Sequence, residues 1–478
     1  MKIGNSSMRF PRFVEEGITV VERFLSRFLG GGGNAASGVR VDPTVRYQTM
    51  EGWGTSLAWW GHVVGGWSDA KREEIADLVF NPTNGLGLTV ARYNIGGGDD
   101  PTHHHMRPGG DIPGYQPARG VWDWNADANQ RWVLQAARAR GATVCEAFSN
   151  APPYWMTRSG CAAGSTDGSD NLREEDIDTF AAYLTEVLAH FRDAWSTTFQ
   201  TIEPFNEPSG GWWKTGNNQE GCHVSPDMQR AVIVSLSRQL AARGLTATAI
   251  AVADENNIDE MAAAFDAYDP ATRAPIAQIN THSYNGTRRA DLRERATAAG
   301  KGLWMSEYGT GGGPHDHGNM VSALILSAQI RRDMTELRPA SWVYWQVLER
   351  EANNNWGCIH ADFGESEQYW LTRQYYALAQ YSSFIRPGYT IIGTDDVGTL
   401  AAYDDASGTL VLVCDNNTGQ DRQVRYDLSA FSRLAGAADV YRTSTSENRA
   451  RVADTPIADG ALTTTIPAQS IVTFAIAA

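Results

Sequence analysis

Residues 199–207 read FQTIEPFNE, residues 226–244 read PDMQRAVIVSLSRQLAARG, and residues 247–255 read ATAIAVADE. The first and third are short runs rich in β-branched and aromatic residues, as strands are. The second carries apolar residues at helical spacing and ends on Gly244, a residue type that closes helices. Strands alternating with helices imply a parallel sheet. The same alternation extends outward both ways. The other β-rich runs are MEGWGTS (50–56), LTVARYNIG (88–96), ATVCEAFS (142–149), AQINTHSY (277–284), GLWMSEYG (302–309) and SWVYWQV (341–347). Helical patterns such as DAKREEIADLVF, NQRWVLQAARARG and EDIDTFAAYLTEVLAHF fall between them. Eight such units predict a (β/α)8 barrel over residues 45–384. An open dinucleotide-binding sheet would want GxGxxG at its first strand–helix turn, and GWGTSL lacks the third glycine.

Past Pro387 the texture changes. YTIIGT, LAAYDD, TLVLVCDN, RQVRYDLS, ADVYRTS and TTTIPAQSIVTFAI are short strands between Asp, Gly, Asn and Ser turns, so residues 385–478 predict an all-β sandwich. VRVDPTVRYQ (39–48) is strand-like and is expected to join that module. Residues 14–29 predict a short amphipathic helix, and 30–38 are a Gly-rich linker. Residues 1–38 are therefore left out of the fold and expected to be poorly ordered. Glu22, Arg23 and Arg27 interrupt the apolar stretch that a secretory signal needs.

With 42% hydrophobic and 20% charged residues in 478, global disorder is excluded. A formal charge of -15 argues against nucleic acid or an anionic membrane as the main partner, since both need a dense basic face. No apolar run approaches the roughly 18 residues of a membrane span. Sixteen Trp point to flat apolar surfaces for a ligand. The five cysteines form no CxxC pair, so a structural zinc site of that type is not expected. Cys161 and Cys222 lie in Gly-rich polar stretches, SGCAAG and EGCHVS, and are expected to form a disulfide in an oxidising compartment. Neighbours in an extended segment point to opposite sides, so at most two of His103, His104 and His105 could share an ion. The run reads as a loop lining a site or facing solvent, and neither a metal nor a cofactor is expected. GTGGG (309–313) lacks the lysine of a phosphate-binding loop and reads as a flexible rim.

A barrel presents its reactive groups at the C-terminal ends of its strands. The fourth run ends in Asn206-Glu207, the seventh in Glu307-Tyr308, the second in Arg92-Tyr93-Asn94 and the sixth in His282-Ser283-Tyr284. Strands four and seven face each other, so Glu207 and Glu307 would flank one bond, the arrangement that glycoside hydrolysis needs. A lone Glu at a strand end is more often an ion-pair partner; a facing pair reverses that judgement. Glu203 sits deeper in the same strand as Glu207, Glu146 lies within strand three, and Glu255 at the end of strand five could bind substrate. Asp99 and Asp100 sit in a Gly-rich loop as substrate contacts or solvent-facing groups.

EGWGTSLAWW, ARYNIGGG, FSNAPPYWMT, PFNEPSGGWW, QEGCH, THSYNG, MSEYGTGGG and the ending PAQSIVTFAI give the chain a specific likeness. Over roughly residues 48–478 it resembles glycoside hydrolase family 30, retaining (β/α)8 glycosidases that carry a β side module. GWGTSLAWW with NEPSGGWWK and QEGCH is similar, more narrowly, to the family's endo-β-1,6-galactanases, which cut the β-1,6-linked galactan side chains of arabinogalactan proteins. The resemblance implies Glu207 as acid/base, Glu307 as nucleophile, Asn206 on the sugar 2-hydroxyl, and Arg92 and Tyr284 holding Glu307 ionised, with His282 and Asp99 also at the substrate. Trp59, Trp60, Trp155, Trp212, Trp213, Trp345 and Trp356 lie at or after strand ends as subsite candidates, three or four of which are expected to touch sugar. His103 and Lys214 are further candidates for contacting galactose. The implied partner is a neutral β-linked polysaccharide or oligosaccharide, acted on by a secreted monomer. Other family activities (β-1,6-glucanase, xylanase, glucosylceramidase-like) would keep the same carboxylates, and a non-catalytic carbohydrate-binding barrel is the alternative outside catalysis.

Overall fold

A computed structural model describes residues 37–311, 317–350, 355–364 and 366–478. The amphipathic segment and most of the linker anticipated within 1–38 lie outside these residues, as do Gly312 and Gly313 of the GTGGG stretch. The chain opens with β1 (Ser37–Thr49) and then builds a closed barrel of eight parallel strands in sequence order: β2 (Gly52–Ser56), β3 (Val90–Asn94), β4 (Val144–Phe148), β5 (Thr201–Glu203), β6 (Ala249–Glu255), β7 (Ile276–His282), β8 (Gly302–Tyr308) and β9 (Ser341–Tyr344). These are the eight strands expected from the sequence. β2 closes the ring by pairing with β9, Trp53 opposite Trp342.

The barrel is a packed core rather than a pore. β2 and β3 are buried at every position, because one face meets the barrel interior and the other the surrounding helices. The glycines of EGWG follow from that crowding: a Cβ on Gly54 would sit 2.7 Å from the Val90 Cβ. The helices between strands lay apolar stripes on the barrel. Pro226–Ala242 starts on a proline, whose fixed φ suits a first turn, and buries Val232, Ile233, Leu236 and Leu240. Ile258–Ala267 is capped by the Asn257 side chain, which accepts from the backbone N–H groups of Asp259 and Glu260.

A three-stranded sheet follows the barrel: β10 (Leu348–Arg350), β11 (Ile359–Ala361) and β12 (Tyr369–Leu371). The remaining strands are β13 (Thr390–Thr394), β14 (Thr399–Asp404), β15 (Thr409–Asn416), β16 (Arg422–Asp427), β17 (Ala437–Thr443), β18 (Ala450–Ala458), β19 (Ala461–Ile466) and β20 (Ser470–Ile476). They make the all-β module, two sheet faces joined at both ends. β1 pairs antiparallel with β13 and parallel with β16, and β18 pairs with both β17 and β19. Strand alternation divides its apolar residues between two cores. Leu410 and Leu412 point into the module's own interior with Val39, Val41 and Phe474. Val411 and Val413 point the other way and join the barrel's core with Leu400 and Ile471. The seam also carries a buried polar tie: Arg331, in helix Met320–Arg332, pairs with Asp415 at 3.2 Å.

Candidate active site

Glu207 follows β5 on the connection to helix Pro226–Ala242. Its backbone takes φ 47°, a left-handed conformation that a non-glycine residue holds only when its surroundings fix it. Here they do: its N–H donates to the Asp254 carbonyl at 2.8 Å, and its carbonyl accepts from Gly210 N–H and the Trp213 indole N–H. Glu307 is the penultimate residue of β8, in Ser306-Glu307-Tyr308, and both glutamates are buried with a small exposed fraction, 8% for Glu207 and 4% for Glu307. The two side chains converge. A carboxylate oxygen of Glu207, one of Glu307 and a ring nitrogen of His282 all lie within 4.8 Å of one another.

His282, the last residue of β7, is the wedge between them. Its Nδ1 is 3.2 Å from Glu207 Oε1 and 3.4 Å from Glu307 Oε1, and its Nε2 is 3.1 Å from Asp254 Oδ1. Burial alone would drive the ring neutral. Glu307, Asp254 and Glu207 outweigh it and raise the imidazole to about 10, so an imidazolium sits between the carboxylates. Glu307 receives the Tyr284 hydroxyl at 3.1 Å and lies 3.4 Å from the Arg92 guanidinium. Burial pushes its carboxyl up to about 7, with Glu207 adding to the push, while His282 and Arg92 pull it down. Glu207 Oε1 also accepts from the Asn256 amide at 2.7 Å.

Beneath the pair lies a buried charge network. Arg92, wholly buried in β3, reaches Glu307, Asp254 and Glu146 (3.2 Å) and rests 3.8 Å from the Phe148 ring. Asp254 stays ionised: burial opposes this, but Arg92, His282 and the Ser306 hydroxyl hold its carboxyl down at about 2. Glu203, deeper in β5, is the opposite case. Burial, with Asp254 and Glu146 nearby, drives its carboxyl well above the usual range, so it is neutral. Glu146 accepts from Thr201, Gln278 and Asn280 and serves to anchor Arg92. Glu255 bonds the Ser209 backbone and hydroxyl, tying down the loop after Glu207 rather than facing the cleft.

The sequence did not single out Asp254 or Asn256. Alternation along ATAIAVADE favours Glu255 as the inward carboxylate. β6 breaks register against β7 between Ala253 and Glu255, and Asp254 takes φ 63°, so the bulge turns Asp254 into the barrel. The Asn-Asn pair following it was the available signal, since Asn257 caps the next helix and leaves Asn256 at the strand mouth.

The other candidates separate cleanly. Asn206 is buried, and its Oδ1 finds no partner among the described residues, leaving it free to accept from a ligand. Trp59 packs edge-on to Trp345 at 5.1 Å, with the Arg107 guanidinium 4.3 Å from its ring. Trp356 is half-buried beside Tyr284. Trp212 is 38% exposed. Trp155 is half-buried, with its indole N–H on the Gln116 carbonyl. Trp60 is a correction: it is fully buried in helix Trp60–Val64, donates to the Ser56 carbonyl and stacks on Phe80, so it is core. Trp213 is also buried and acts on the Glu207 loop through its indole N–H. Asp99 is corrected too. Its side chain is 3% exposed and is engaged by His103, His105 and Cys161. Lys214 is exposed. All five cysteines are free and buried, so the Cys161–Cys222 bond is not formed. The Cys222 thiol meets the His223 carbonyl, whereas Cys161 faces Asp99 and His105.

Residues 36–354 match the model of O-glycosyl hydrolase family 30. The chain belongs to glycoside hydrolase family 30. It is 34% identical over 466 residues to an endo-β-1,6-galactanase of Hypocrea rufa, covering 91% of this chain and 93% of that one. It is 25% identical to an exo-β-1,6-galactobiohydrolase of Bifidobacterium longum subsp. longum, over 87% of this chain and 37% of that larger protein. The fold matches the catalytic domain of a family 30 xylanase C from Talaromyces cellulolyticus with a TM-score of 0.71 at 20% identity, covering 92% of this chain and all of that one. This family 30 glycosidase carries no helix long and apolar enough to cross a membrane among its described residues.

Proposed function

We propose that this glycosidase hydrolyses β-1,6-linked galactan internally, with retention of anomeric configuration, using Glu307 as nucleophile and Glu207 as acid/base. The observation that supports the mechanism is the convergence of the two carboxylates on His282, with one oxygen of each within 4.8 Å of the other. A retaining pair stands about 5–5.5 Å apart, whereas an inverting pair needs roughly 6.5–9.5 Å to admit water. In the first step a Glu307 oxygen bonds the anomeric carbon as the glycosidic C–O bond breaks, and the Glu207 proton passes to the departing oxygen. In the second, Glu207 takes a proton from water, whose oxygen displaces the Glu307 carboxylate and restores the β configuration. Tyr284, Arg92 and His282 surround Glu307 and oppose the effect of burial, favouring the ionised form a nucleophile needs.

Asn206 would receive the sugar 2-hydroxyl through its unpartnered oxygen. Trp59, Trp345, Trp356 and Trp212 would supply apolar faces for the sugar rings. The galactan assignment rests on the likeness to the Hypocrea rufa galactanase over nearly the full length of both chains. A polymer of that kind lies outside cells, so the enzyme would be secreted, and it would act as a monomer because one chain holds every group named. The test is a panel of β-1,6-galactan, β-1,6-glucan and xylan scored by product profile. Galactan should yield a ladder of short oligosaccharides, while cleavage of β-1,6-glucan with galactan untouched would refute the substrate.

A further inference from the structure

A second cluster lies on the same rim, away from the catalytic pair. Asp99 belongs to the connection after β3, Cys161 to that after β4, and Asn217 to that after β5, so three loops of the C-terminal barrel face meet there. Asp99 Oδ2 is 3.1 Å from His103 Nδ1, 3.2 Å from His105 Nε2 and 3.7 Å from Cys161 Sγ, and His105 Nε2 is 3.5 Å from that sulfur. All four ligating atoms lie within 4.8 Å of one another. Two of three adjacent histidines in an extended segment can share an ion, and His103 and His105 are two apart, on one side, with His104 exposed.

We infer that Asp99, His103, His105 and Cys161 form a structural site for a tetrahedral transition-metal ion of the zinc type. The spacing is the first argument. Zinc bonded at about 2.0–2.1 Å to nitrogen and oxygen and about 2.3 Å to sulfur places tetrahedral ligands about 3.3 Å apart, or about 3.5 Å where one is sulfur. The separations observed here fall close to those values. The surrounding hydrogen bonds are the second. His105 Nδ1 faces the Asn217 carbonyl, an acceptor only, which fixes the ring with its Nε2 turned toward Asp99 and Cys161. A ring nitrogen, a carboxylate oxygen and a sulfur therefore converge on one point, as the ligands of a bound cation do. Asp99 Oδ1 is fixed separately by the Ala162 N–H at 3.0 Å, leaving Oδ2 for the centre.

The ligand set also selects the ion. Two imidazoles and a thiolate disfavour calcium and magnesium and suit zinc. Four protein ligands leave no open position, so the ion braces the rim instead of activating water. The site accounts for the free Cys161: its sulfur is turned to the cluster, not to Cys222.

The test uses the full chain, stripped with a chelator and titrated with zinc or cobalt(II). One equivalent of zinc should bind, raise the melting temperature and protect Cys161 from alkylation. Cobalt should give the visible bands of a tetrahedral complex and a near-ultraviolet thiolate charge-transfer band. Cys161→Ser should abolish the charge-transfer band, and His105→Ala should weaken zinc at least about 100-fold, while His104→Ala leaves affinity unchanged. Wild-type protein that takes up no stoichiometric zinc, a charge-transfer band that survives Cys161→Ser, or peptide mapping that finds Cys161 bonded to Cys222 would overturn the assignment.

Discussion

Replacing His282 by glutamine removes the cation wedged between the two glutamates and keeps a side chain of similar reach. The ring nitrogen stands 3.4 Å from Glu307 Oε1 and 3.2 Å from Glu207 Oε1. Unit charges at such a distance interact by about 5 kcal/mol at an effective dielectric of about 20, worth about 3.7 pH units at 1.36 kcal/mol per unit. Arg92 remains beside Glu307 and the glutamine amide can still donate, so the realised shift is smaller, about 2 units. Losing a positive charge favours the protonated carboxyls, so both pKa values of the pair move up. The bell-shaped profile of kcat/KM should therefore move bodily to higher pH. At a pH well below the wild-type acidic limb, kcat/KM should fall by about 100-fold, with much of the loss recovered at alkaline pH. The assay is initial-rate release of reducing ends from β-1,6-galactan across the pH range, with a thermal melt to show that the variant is folded. A folded variant whose profile keeps its position while dropping uniformly would refute the electrostatic reasoning and leave His282 a purely steric part.

The same ring predicts how stability depends on pH. Its pKa is raised on folding, so its stabilisation is complete below the unfolded value of about 6.5 and is lost as pH rises through about 10; wild type should lose melting temperature between those limits more steeply than His282→Gln. Glu207→Gln should lower kcat/KM on galactan by about 10²–10⁴ while leaving the melting temperature within a few degrees, as measured by kinetics and calorimetry in parallel. Trp60→Ala should cost about 3–5 kcal/mol in denaturant unfolding because it empties a core site, whereas Trp212→Ala should leave unfolding unchanged and raise KM.

The barrel was legible because its evidence is redundant: each buried strand is a short apolar run between helical stretches, and eight repeats of that alternation fix an architecture even where a single run is ambiguous. Glu207 and Glu307 could be nominated because strand ends in a barrel converge on one face. What failed depended on local departures from regular geometry. Asp254 was hidden by a bulge, which reverses the inward and outward sense of a strand without leaving a mark in composition. Trp60 and Trp59 are adjacent in sequence, yet Trp60 opens a helix and turns into the core while Trp59 remains beside Trp345. Asp99 and Cys161 illustrate a third kind of miss. Composition pairs Asp99 with a sugar and Cys161 with Cys222, whereas the two meet each other and His105 where two loops converge, a course that a single sequence does not specify.

Glu207 and Glu307, whose nearest-facing carboxylate oxygens lie within 4.8 Å of one another, are proposed to perform a double displacement. Proton NMR of a galactan digest, recorded in the first minutes before the products mutarotate, reads this directly. β-Anomeric reducing ends should appear first, with the α signal growing only later; α-anomers appearing first would rule out retention.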